Sequence, residues 1–150
     1  MRTRLRRLWT DGRVFVWRAE IQDVSGSTDC HRCVRVRVWG AGKTSRALQA
    51  DLLSTTWGTP WPPCLVDGAY PASADVRAVV DYALRHGWQP EQRGGTFVLS
   101  EREHADGFRL PGFLLTDRLR GPDGGDPTTR VVQAQPARAP YRSGAEPCDT

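Results

Sequence analysis

Only one of the chain's 21 basic residues is a lysine, Lys43, and only one residue is a methionine. No uninterrupted apolar run exceeds about four residues, far short of the roughly 18 to 20 that a membrane-spanning helix needs. The arginine-rich start, with Arg2, Arg4, Arg6 and Arg7, meets Trp9-Thr10-Asp11-Gly12-Arg13 where a secretory leader would place its apolar stretch. A cytoplasmic protein with no membrane segment is therefore expected. In that compartment Cys30, Cys33, Cys64 and Cys148 should be thiols or metal ligands rather than structural bridges. The chain also lacks a helix-turn-helix pattern, a paired zinc pattern and the aromatic motif of RNA-binding sheets, and it shows no internal repeat.

What is present amounts to one domain's worth of chain, 150 residues with a net charge of +4. Residues 1–46 hold eleven Arg or Lys and four Asp or Glu, net +7, whereas 47–150 hold ten and thirteen, net −3. A basic half can attract an acidic partner or nucleic acid. The near-absence of lysine, beside much Ala, Gly and Pro, points to a GC-rich genome and assigns part of the arginine to codon usage.

Asp11-Gly12 sits between two strand-like runs, 5–10 and 13–21, and favours a two-residue type I′ turn because both positions accept positive φ. That register puts Trp9 opposite Val14, Leu8 opposite Phe15 and Arg6 opposite Trp17, with Leu8, Phe15, Trp17, Ala19 and Ile21 on the core face and a cation–π contact between Arg6 and Trp17. Polar residues 22–32 read as a loop leading to a third strand, 33–39. Residues 45–54 fit either a strand or a helix, and a fourth antiparallel strand is preferred because a short turn after an amphipathic strand usually closes a hairpin. Trp57, Pro60, Trp61, Pro62 and Pro63 make 55–71 irregular.

Residues 73–86 predict a helix, with Ser73 as cap, Asp75 in the first turn, Arg85 and His86 in the last, and Gly87 beyond. Val76, Val79, Val80, Ala83 and Leu84 form its apolar stripe. Two more strands are expected at 96–100 and 108–116, the second bent at Pro111-Gly112. The fold class is therefore α+β: an antiparallel sheet of about five to six strands, one main helix on a face, in the order β-β-β-β-α-β-β. Residues 1–120 form the single domain, and 121–150, rich in Pro and Gly, a disordered tail.

The strings VRVRVWGAGK, from Val34, and DYALRHGWQPEQRGGTFVLSE, from Asp81, resemble those in short uncharacterised proteins of GC-rich actinobacteria. The resemblance spans residues 13–119 and implies no activity.

Three constellations carry possible chemistry. Gly42, Lys43 and Thr44 end like a phosphate-binding loop, but Arg37 stands at the first-glycine position and the preceding strand alternates Val with Arg and Trp, as a half-exposed antiparallel strand does. Cys30-His31-Arg32-Cys33 could offer two thiolates to zinc, although no second close pair completes the set, and no cofactor is predicted. The polar run 100–106 gathers nucleophile, acid and base types but reads as a hairpin loop. Arg35, Arg37 and Trp39 on the outer face of one strand, with Trp57 and Trp61 on the irregular connection, are contact residues for a protein partner, and Arg35, Arg37 and Trp39 beside the arginine arm of Arg2, Arg4, Arg6 and Arg7 make a basic sheet face for nucleic acid. The leading expectation is a small non-catalytic binding or protein-interaction domain. The alternatives are a nucleic-acid-binding module and a phosphate- or nucleotide-using enzyme at the degenerate loop.

Overall fold

The computed structural model describes residues 4–58, 60–61 and 66–135. Four strands form an antiparallel meander, β1 (Arg6–Thr10), β2 (Arg13–Ser25), β3 (Cys30–Trp39) and β4 (Ala47–Ser54); α1 (Ser73–Arg85), β5 (Thr96–Val98), α2 (Glu101–His104), β6 (Phe113–Leu115) and α3 (Pro127–Gln133) follow. The α+β class and the six-stranded sheet are as the patterning predicts. Its composition is mixed, because β5 pairs parallel to β4, while β6 pairs antiparallel to the same strand further along.

The first hairpin has the expected register, Trp9 with Val14, Leu8 with Phe15 and Arg6 with Trp17. Asp11 and Gly12 both have positive φ, 54° and 70°, the conformation a type I′ turn requires. Arg6 lies over the Trp17 ring at 5.8 Å. Ile21 departs from expectation: it follows the inward parity of β2 but is exposed, because the core cluster ends on this strand at Ala19.

The inner sheet face, carrying Leu8, Phe15, Trp17, Val34, Val36, Val38, Leu48 and Leu52, meets the α1 stripe of Val76, Val79, Val80 and Ala83 in one buried cluster. Burying side chains of this size contributes about 1.5–3 kcal/mol each. The helix begins at the expected residue, but its cap position falls on Ala72, whose N–H donates to Asp75 at 2.8 Å. Gly87 (φ 108°) ends it, as predicted, and Trp88 N–H donates to Ala83 O.

Four other boundaries differ from the sequence reading. The loop expected at 22–32 is only a turn, because pairs such as Asp23 with Arg32 and Val24 with His31 continue the ladder. The late strands are each three residues long. The polar run at 100–106 opens with a short helix, where Ser100 Oγ accepts from Glu103 N–H. Finally, 121–135, expected in the disordered tail, are folded: α3 buries Val131 with Val24, Cys33 and Leu53. Residues 136–150 lie outside the described residues. Among the described residues no helix is long and apolar enough to cross a membrane.

Candidate functional site

The outer sheet face, opposite α1, has three zones along β3. At the Cys30 end it is covered by α3. Asp126 caps that helix, and hydrogen bonds from Ser27 and Thr129 hold its carboxyl well below the usual carboxylate range. His31 is buried, bonds Thr128 Oγ1 through Nε2 at 2.8 Å, and leaves Nδ1 without a hydrogen-bond partner. Burial lowers its pKa against the opposing pull of Asp29, Asp126 and Asp67. Cys33 has a free thiol beneath α3, and burial pushes its pKa far up, so the thiolate that a metal or a nucleophilic mechanism needs is disfavoured.

In the middle zone Arg35 meets both carboxylate oxygens of buried Asp51, at 2.8 and 3.1 Å. The hydrogen bond to Asp51 raises the Arg35 pKa further. Arg37 Nε donates to Gln49 at 3.1 Å. Arg35 is therefore neutralised within the sheet rather than offered to a partner, while Arg37 keeps its charge.

The third zone is open. Strand parity places Leu5, Arg7 and Trp9 on the same side as Val14, Val16 and Arg18, and as Arg37 and Trp39. Leu5, Val14, Val16, Trp39, Gly40, Gly42 and Lys43 line a recess of about 310 Å³. Trp9 is 67% exposed and Leu5 43%. Arg18 stacks its guanidinium 5.7 Å from the Trp39 centroid, and its buried Nε has no hydrogen-bond partner. Among the described residues Arg18 forms no salt bridge.

The sequence-predicted contact residues are thus divided. Trp39 belongs to the open zone and Arg37 borders it. Trp57 and Trp61 are exposed, but on the connection that leaves β4 after Ser54, beside Cys33 and at the end of the sheet away from Trp39. Missing from the sequence reading were Leu5, Trp9, Val14, Val16 and Arg18. The hairpin register held the signal, since it puts Trp9, Val14 and Val16 on the outer face of β1–β2 although only the other face is needed for the core.

Gly42, Lys43 and Thr44 form a turn, not a phosphate cradle. Gly42 (φ 91°) presents its carbonyl to Ser45 N–H, and β4 rather than a helix follows, so no helix N-terminus faces an anion. The Cys30/Cys33 pair is not a zinc knuckle either. The two residues lie three apart on a strand and point to opposite faces, and Cys30 is disulfide-bonded, contrary to the expected thiol. Cys64 and Cys148 lie outside the described residues. Among the described residues no group of three or more His, Cys, Asp or Glu could hold a metal ion.

Two further polar clusters have structural duties. His104 Nδ1 bonds Tyr82 Oη at 3.0 Å, and His86 stacks on the same ring at 3.8 Å, joining α2 to the end of α1. Glu101 accepts from the N–H groups of Asp117 and Gly125, each at 3.0 Å, beside a cleft of about 740 Å³. Burial pushes the Asp117 carboxyl up, but hydrogen bonds from Arg120 and the Glu101 and Arg102 N–H groups outweigh it and leave its pKa lowered. In comparisons with known families, curated proteins and solved structures, nothing matches the chain.

Proposed function

We propose that the protein is a non-catalytic binding module that engages a macromolecular partner through the open end of its outer sheet face. The observation that carries this reading is the apolar recess beside Trp39, lined by Leu5 and Lys43 and sharing its sheet face with exposed Trp9 and with Arg7, Arg18 and Arg37. Large aromatic side chains kept out of the core supply contact area at low entropic cost, and clustered cations select an acidic partner. The polar residues whose types suggest catalysis have other attachments: Ser100 caps α2 and His104 bonds Tyr82.

The test is affinity capture with the full chain immobilised, comparing wild type with a Trp9→Ala/Lys43→Ala double variant. Both residues are exposed, so the variant should melt at the wild-type temperature while losing macromolecules, protein or nucleic acid, that the wild type retains. Identical capture by the two proteins would remove this face as the binding surface.

A further inference from the structure

We infer that the ligand of the open face is single-stranded nucleic acid. This rests on the binding-module reading and specifies its partner. An unstacked strand offers two chemistries together, phosphates and flat apolar bases, and this face has a group for each. Strand spacing of about 4.8 Å and a rise of about 3.3 Å per residue place the Trp9 and Trp39 backbones roughly 12 Å apart, two strands over and two residues along. One indole stands exposed above the sheet and the other walls the recess, so a base can stack on the first while a neighbour enters the second.

The charges fit the same ligand. Arg7, Arg18 and Lys43 border the two aromatic positions, and Arg18 reaches over Trp39 with no counter-ion among the described residues. Arg35 does not belong to this set, because Asp51 already satisfies it. Glu20 is the acid on this face nearest to these groups in the register, where it stands directly opposite Arg35. An acidic peptide extending the sheet along β1 fits less well, because the Trp9 carbonyl that such a strand would use accepts from Arg77.

Fluorescence anisotropy with a labelled 15-nucleotide deoxythymidine strand tests this, beside a duplex of equal length and a polyglutamate peptide, all with the full chain. The single strand should bind best and quench tryptophan emission. With the four cations Arg7, Arg18, Arg37 and Lys43 each contributing about −0.7, the logarithmic salt slope should be near −3, and Arg18→Gln or Lys43→Gln should reduce it by about 0.7. Trp9→Ala should weaken binding about ten-fold at constant slope; because Trp9 is exposed, this variant tests the proposal even where Trp39→Ala fails to fold. No binding at low salt, or binding that Trp9→Ala leaves unchanged, overturns the proposal. Preference for polyglutamate overturns it in favour of an acidic protein. A failed oligonucleotide titration beside face-dependent capture refutes only the ligand, whereas face-independent capture refutes the binding surface itself.

Discussion

Arg35 and Asp51 occupy directly opposed positions on β3 and β4, and the guanidinium closes on both carboxylate oxygens. Asp51 is only 2% exposed, so its charge is tolerable only while that fork is in place. A cation that looks, from strand parity alone, like an offered contact is an internal counter-ion.

Arg35→Ala should therefore destabilise the fold by about 3 kcal/mol, the scale expected when one partner of a buried pair is removed. The double variant Arg35→Met/Asp51→Leu should recover most of that loss. Denaturant unfolding measures both, and a double variant no better than the single one would show that the pair's charge is not the source of the cost.

Stability should decline on mild acidification through His31. The folded protein holds this imidazole neutral, with a pKa below the ordinary 6.5, whereas the unfolded chain takes up a proton near that value. The unfolded state then binds more protons, so stability is complete at neutral pH and is lost as pH falls below about 6.5 toward the folded value. Unfolding at pH 7.5 and 5.5 should reveal the decline, and His31→Gln should flatten it. A variant with the wild-type slope would place the acid sensitivity elsewhere.

The docking of α3 should control access to Cys33. Val131→Asp buries a charge against Val24, Cys33 and Leu53, and Gly26→Ala would set a Cβ 2.0 Å from Thr128 Oγ1. Each should speed alkylation of Cys33 by about ten-fold or more, read by peptide mapping so that the other cysteines do not interfere. Unaltered Cys33 labelling in both variants would mean that α3 does not shield the thiol.

Local chemistry was the most legible part of the fold. Asp11-Gly12 dictated a turn, the turn dictated a register, and the α1 stripe followed from its 3.6-residue period. Less legible were features set by distant partners. The Gln22 to Arg32 segment looks like loop until Val24 meets His31 across a ladder, and Pro127–Gln133 looks like tail until Gly26 and His31 receive it. The same limit divided the candidate site. Trp39 could be placed on an outer face from alternation, but the loss of Arg35 to Asp51 and the gain of Arg18 required knowing which strands adjoin.

The free side of β4 is served by two three-residue strands of opposite direction, β5 beside Ala47–Gln49 and β6 beside Leu52–Ser54. Neither can dock until long stretches of chain have been synthesised and closed, whereas β1 to β4 need only short connections. Folding should accordingly proceed in sequence, with the meander and α1 assembling early and the two clasps arriving late. In that interval the far edge of β4 is an open template for another molecule's strand, so the protein is most vulnerable to aggregation before its second half has arrived.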